Sequence, residues 1–140
     1  MTVTQVEADE MLAKAKEAIR KGVLSWQSAV RQDEHVVAVG DATTQFVLSF
    51  TRNPFEMKAH FRTKQTNIDL ARVDNQRQHI NPDGERIVGP HLHWFKEGFE
   101  HLEWAESIDW YDAQQPLVTL YKFLDLIHTR FPLGIQEDWL

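Results

Sequence analysis

From Val36 to Ile108 the chain is written in short runs rich in β-branched and aromatic residues: HVVAVG, QFVLSFT, KAHFRTKQT, NIDLARVD, GPHLHWF and HLEWAESI. Each run is bounded by Gly, Asn, Asp or Pro, so none can extend to helical length, and their composition favours the pleated, half-buried surface of a strand. The separators Gly40-Asp41, Arg52-Asn53-Pro54, Asn81-Pro82-Asp83-Gly84 and Glu97-Gly98 are mostly short enough for hairpins rather than crossovers. The spacing therefore predicts a curved antiparallel sheet of five or six strands over about residues 35–108.

Helical signals flank this region. Thr4 and Glu7 have capping-box spacing, Met11, Leu12, Ala15 and Ile19 follow helical periodicity, and Gly22 stands where a left-handed terminal residue would close the last turn. A helix over about 4–21 is expected. At the other end Asp112 or Gln115 can cap, Pro116 suits a first turn, and Leu117, Leu120, Tyr121, Leu124 and Ile127 form one stripe before Pro132 and Gly134, giving a helix over about 115–130. Helix, sheet, helix is an α+β order in which helices cover one sheet face and leave the other open. Leu48, Phe50, Phe61, Leu92, Trp94, Leu117, Leu120, Leu124 and Ile127 are the expected core, and with no repeat or linker in sight residues 1–140 read as one domain.

Composition removes several classes of function. The chain has no cysteine, which excludes disulfides, thiolate metal sites and cysteine nucleophiles. Its net charge is −6, against a surface that tracks nucleic-acid phosphates throughout, although Arg52 to Arg77 is locally basic. The opening residues lack a charged-then-apolar leader and no apolar run approaches a membrane span, so a cytoplasmic protein with no membrane partner is expected. Phosphate-cradling loops, nucleophile elbows and dinucleotide fingerprints are missing, which disfavours nucleotide-dependent enzymes.

Strand alternation locates the polar chemistry. His91, His93 and Phe95 project to one side and Leu92 and Trp94 to the other; Lys58, His60, Arg62 and Lys64 share a face, as do Arg72 and Asp74, with His79 shortly after. If Asn-Pro-Asp-Gly returns the following strand beside the preceding one, Arg72, Asp74, His79, His91 and His93 meet on the face away from the helices. His101 falls in an expected strand, His128 on the last helix and His35 in a loop, where each is more simply structural or exposed.

The order Arg72-x-Asp74, His79-x-Asn81-Pro82-Asp83-Gly84 and Pro90-His91-Leu92-His93-x-Phe95-x-Glu97-Gly98 resembles a small bacterial family of unknown function carrying R-x-D, H-x-NPDG and PHLH-x-[YF]-x-EG. The resemblance spans most of the chain. It implies an α+β domain of bacterial origin, of the kind found among accessory genes of mobile elements, and no established activity. Where that family tends to carry a basic residue before Trp-Ala, this chain has Glu103 before Trp104-Ala105.

Three chemistries fit these residues. His-x-His with a nearby carboxylate is a first shell for zinc, iron or manganese, which here would be His91, His93 and Glu97, in the H-x-H-x-x-x-E spacing of cupin barrels. Without a metal, His79, His91 and His93 could serve as acid and base in cleaving RNA, with Arg72, Asp74, Lys58, Arg62 and Lys64 holding the substrate. The third is a protein-interaction module: five tryptophans and the acidic step Glu97, Glu100, Glu103, Glu106, Asp109 and Asp112 could meet a basic partner. The bland readings are solvated histidines, a solvated basic strand face, and a structural Arg72–Asp74 pair. The sequence leads to an accessory protein of mobile-element or toxin–antitoxin type acting on RNA or a nucleic-acid-bound partner through its histidine face.

Overall fold

The structure, a computed structural model, describes residues 3–138. In chain order the elements are α1 (Gln5–Ala13), β1 (Lys16–Ala18), β2 (Leu24–Gln27), β3 (Gln32–Ala38), β4 (Asp41–Arg52), β5 (Met57–Thr63), β6 (Asp69–Asp74), β7 (Gln78–Ile80), β8 (Arg86–Val88), β9 (His91–Trp94), β10 (Ala105–Ser107), α2 (Pro116–Leu126), β11 (Thr129–Arg130) and β12 (Ile135–Asp138). The main sheet has eight strands in the order β10-β9-β6-β5-β4-β3-β1-β11, antiparallel throughout except for the β1–β11 pair. The α+β layout and mainly antiparallel sheet agree with the sequence; the strand count of five or six and both helix ranges do not.

The N-terminal helix starts as its capping box directs, with Thr4 and Glu7 each accepting the other's backbone N–H. It ends eight residues short of the expected Lys21, and the cause is Lys16. This side chain is buried, and its ammonium donates to the carbonyls of Met11, Leu12 and Lys14 at 2.7, 2.9 and 2.8 Å, satisfying the open end of α1 from within. The same ammonium lies 5.5 Å from the ring centroids of Phe46 and Phe61. Past that cap the backbone becomes extended, and Lys16, Glu17 and Ala18 pair with Ala38, Val37 and Val36 of β3. The apolar step Ala15, Ile19 that suggested more helix belongs instead to a strand and its exit, where Ile19 is exposed and donates its N–H to the His35 carbonyl.

The C-terminal helix is also shorter than expected. Pro116 occupies its first turn, the cap residue Gln115 makes no side-chain hydrogen bond while Glu137 Oε1 accepts the Leu117 N–H at 3.2 Å, and the helix stops at Leu126 because His128 takes a left-handed φ of 53° and turns the chain into β11. β11 and β12 escape sequence reading because they are very short and pair in parallel with β1 and β2, partners far away in the chain. His35 lies in β3 and His101 in a turn, the reverse of the expectation, and the HLEWAESI run is a strand only over Ala105–Ser107.

The core fills one face of the main sheet. Phe46, Leu48 and Phe50 of β4, Ala59 and Phe61 of β5, Ala71 and Val73 of β6 and Leu92 of β9 pack with Leu120, Phe123, Leu124 and Ile127. Seven of the nine expected core residues are buried, and Leu117 and Trp94 are partly buried against the same cluster. No helix among the described residues is long and apolar enough to cross a membrane.

Removing the Lys16 amine takes its donor from the Met11 and Lys14 carbonyls at the end of α1 and leaves that of Leu12 only the His128 Nδ1 contact at 3.2 Å, while methionine in its place keeps the stem's apolar volume. Burial pushes the amine's pKa down to about 7, whereas those carbonyls bind only its ammonium form, so the comparison belongs at pH 6. Lys16→Met should lower stability by about 2–3 kcal/mol, a fall in Tm of roughly 8–10 °C, measured by thermal unfolding with circular dichroism. An unchanged Tm would show that Lys16 does not hold the helix end.

Candidate metal centre

The opposite face of the sheet is polar, and the strand pairing aligns it. One transverse row runs Asp33, Ser49, His60, Arg72, His93 across β3, β4, β5, β6 and β9, each a direct cross-strand neighbour of the next. Asp74 and His91 pair one step along. At neighbour distance such residues interact side chain to side chain, so pairing β6 with β9 is what gathers this site.

His79 arrives separately. β7 and β8 form a hairpin inserted between β6 and β9, with Gly84 donating to the Asn81 carbonyl across the Asn-Pro-Asp-Gly turn at 2.8 Å and taking a φ of +92° that favours glycine. Asn81, expected only to turn the chain, is buried and fixes the hairpin to β10: it accepts the Ala105 N–H at 2.8 Å and donates to the Ala105 carbonyl at 2.9 Å. The hairpin thereby lays His79 against the two β9 histidines, with ring centroids 5.5 Å from His91 and 4.8 Å from His93, while His91 and His93 are 4.7 Å apart. His91 and His93 are fully buried. Their face is thus roofed at this end, contrary to the expectation of an open face carrying solvated imidazoles.

Each ring is oriented by a backbone carbonyl. His79 Nε2 lies 2.6 Å from the Glu103 carbonyl, His91 Nδ1 2.8 Å from that of Gly89, and His93 Nδ1 2.7 Å from that of Leu102. A carbonyl only accepts, so these contacts fix the tautomers and leave a lone pair on His79 Nδ1, His91 Nε2 and His93 Nε2. One ligand nitrogen from each ring lies within 4.8 Å of the others. Asp74 adds its carboxylate: Oδ1 is 3.0 Å from His91 Nε2 and Oδ2 3.6 Å from His93 Nε2.

Acceptors outnumber donors at this point. The donors are Arg72, with Nε 3.3 Å from Asp74 Oδ2 and Nη2 3.2 Å from His93 Nε2, and the Gln76 N–H at 3.0 Å from Asp74 Oδ1. His91 Nε2, despite its proximity to Asp74, makes no hydrogen bond of acceptable geometry. A proton on His91 would mend this, but burial pushes that imidazole below its ordinary pKa and favours the neutral ring. Asp74 is held at about 2: burial pushes it up, and the His93 hydrogen bond, the Gln76 N–H and the charges of His91 and His93 outweigh that. Converging lone pairs with an orphaned buried nitrogen fit a cation, and rings whose second nitrogen donates to a carbonyl are oriented as metal ligands are.

The remaining expected residues lie at varying distances from this cluster. Arg72 and Asp74 belong to it. Lys58 and Arg62 lie on the same face of β5, Arg62 donating to Ser49 at 3.0 Å, and Lys64 follows the end of that strand. Glu97, the expected carboxylate ligand, is elsewhere: Oε1 accepts the Gln5 N–H at 2.7 Å at the start of α1, because the chain leaves β9 at Trp94 and breaks the alternation that would have kept Glu97 beside His93. The acids Glu97, Glu103, Glu106 and Asp112 bond to separate donors in an irregular segment and do not form one stripe. Sequence reading missed the buried hydrogen-bonding role of Asn81 and the His60–Asp69 pair, at 2.7 Å, which holds the Asp69 carboxyl below its ordinary pKa.

The site contributes to the acid stability of the protein, beside Asp41, whose carboxyl is likewise held at about 2 by hydrogen bonds from Thr43 and Thr44. His91 has a lowered folded pKa, so the unfolded chain takes that proton first and stability falls as pH drops below about 6.5. Asp74 is lowered from 3.8 to about 2, so its contribution is complete well above pH 3.8 and is lost as pH falls toward 2. The two effects share a sign. Urea midpoints of the metal-free protein should decline from pH 7 to 5 and again from 5 to 3, and Asp74→Asn should flatten the second step; equal midpoints at pH 7 and 5 would contradict the assignment of His91.

No curated protein and no solved structure matches the chain. A family defined only as one of unknown function, DUF6978, matches residues 3–129, a span that takes in both helices and every residue of the histidine cluster, and the chain belongs to that family.

Proposed function

We propose that this protein binds a divalent first-row metal ion through His79, His91 and His93, with Asp74 beside two of the three. The observation that carries the reading is the orphaned, fully buried His91 Nε2 among lone pairs that each ring's carbonyl contact leaves unprotonated. Neutral imidazoles suit zinc, and equally iron, copper or nickel. Three protein nitrogens would leave a coordination position for water, which supports a reading as metal-assisted hydrolysis with Asp74 as the adjacent proton acceptor.

This reading is preferred to metal-free acid–base cleavage of RNA because His91 and His93 are fully buried, where an RNA backbone does not reach them. The outer face adds little steering field for a long polyanion. Arg31 is paired with Asp33, Lys58 with Glu56, and Arg72 with Asp74. A toxin–antitoxin or mobile-element setting is compatible with a hydrolytic centre and rests on the motif resemblance alone. The acidic, tryptophan-containing segment supports a protein-interaction module less well, since several of its acids are engaged within the chain.

The test is elemental analysis after zinc loading and desalting, paired with thermal unfolding. One ion per chain is expected, lost in His79→Ala, His91→Ala and His93→Ala and retained in Glu97→Gln. At a free metal concentration of 100 times Kd, stability should rise by about 2.7 kcal/mol and a chelator should reverse it. Because His79 is only partly buried, His79→Ala serves as the variant that keeps the fold. No ion bound and no thermal shift with any of these metals, or loss of the ion in Glu97→Gln, overturns the proposal.

A further inference from the structure

Along the transverse row from the histidine cluster, the outer face holds a groove of about 200 Å³ whose lining includes Arg31, Ser49, Thr51, Lys58, His60 and Arg72. Three of these side chains are permanent cations and two carry hydroxyls, and no carboxylate lines the groove. The acids that pair with the cations sit outside the lining: Asp33 Oδ1 is 2.9 Å from Arg31 Nε, Glu56 Oε1 3.5 Å from Lys58 Nζ and Asp74 Oδ2 3.3 Å from Arg72 Nε. Both guanidiniums meet their carboxylates through Nε, Arg31 Nη2 also donates to Ser49 Oγ at 3.3 Å and Arg72 Nη2 reaches His93, which leaves the Nη1 of each for a further acceptor.

We infer that this groove is an anion subsite of the same centre and that it takes the phosphate of a small phosphate ester. The link to the centre rests on the metal reading and runs through Arg72, which lines the groove and also reaches His93 Nε2 at 3.2 Å. Once that nitrogen gives its lone pair to an ion it no longer accepts from Arg72, and the Nη2 hydrogen turns to the ligand. Phosphate fits better than carboxylate because the uncommitted Nη hydrogens of Arg31 and Arg72, the Lys58 ammonium and the Thr51 hydroxyl offer more donors than two oxygens can use; the Ser49 hydroxyl donates to Asp33 at 2.6 Å and adds none. The groove is smaller than the ~300–1,000 Å³ of whole-ligand pockets, so it holds the phosphate and the first atoms of its carrier.

Calorimetric titration with phenyl phosphate, with benzoate as the carboxylate control, tests this on the full chain, zinc-loaded and metal-free. Phenyl phosphate should bind the zinc-loaded protein, more tightly than benzoate, and Arg31→Gln and Lys58→Gln should each weaken it about tenfold, the effect of losing one charge-assisted hydrogen bond. Both side chains are at least half exposed, so the variants keep the fold, and their zinc content should match the parent while Lys64→Gln leaves binding unchanged. Zinc retained with no phosphate binding, binding indifferent to both variants, or benzoate binding equally well overturns the inference and leaves the metal reading intact. Phosphate binding that fails in the two variants of a chain holding no zinc supports the groove and overturns its link to a metal. Tighter binding of a single-stranded RNA oligonucleotide through the same two residues would overturn the small-ester assignment.

Discussion

Four of the five residues at the candidate centre are brought together by the register of one pair of strands. Pairing β6 with β9 sets Ala71 opposite Trp94 and Val73 opposite Leu92 on the core side, and by the same alternation Arg72 opposite His93 and Asp74 opposite His91 on the other. A slip of β9 by one residue would drive two imidazoles into the hydrophobic layer and expel Leu92 and Trp94 from it. The hydrophobic core and the polar cluster therefore enforce the same register from opposite faces.

The cluster itself is a place where folding and ligand chemistry pull in different directions. Asp74 is almost fully buried beside the His91 and His93 rings, and its charge is compensated by Arg72, whose side chain is about one-third exposed. Such an arrangement gains little from its ion pair in water-exposed terms and loses hydration on the buried side. It persists because backbone carbonyls and the Gln76 N–H hold every member in place before any ligand arrives, so the site is arranged by the scaffold and not assembled by what it binds.

Much of this was legible in the sequence wherever the information is local. Alternation within β5, β6 and β9 identified Phe61, Leu92 and the opposing Arg72, Asp74, His91 and His93, because a period of two needs only a few residues to be read. The error at Glu97 came from extending that period past Trp94, where the strand ends. The extent of α1 was misjudged for a different reason: a buried lysine does not advertise that its amine folds back on the preceding turn, and helical spacing in Ala15 and Ile19 is indistinguishable from coincidence over so few positions. β11 and β12 have two and four residues and owe their existence to partners at the other end of the chain, so no local pattern marks them.

That last pairing shapes how the molecule is made. β1 and β2 leave the ribosome well before their parallel partners β11 and β12, and Ser25 waits for a hydrogen-bond partner 113 residues downstream at Asp138. Until then β1 has one neighbour and β2 has none from a sheet. Contacts of such separation close late and slow folding, leaving an unsatisfied strand edge on the nascent chain. The hairpins from β3 to β6 need no such wait, so the part of the histidine cluster's framework that they supply can form on a growing polypeptide whose outer edge is still open, and the pairing of β11 with β1 and β12 with β2 is what closes it.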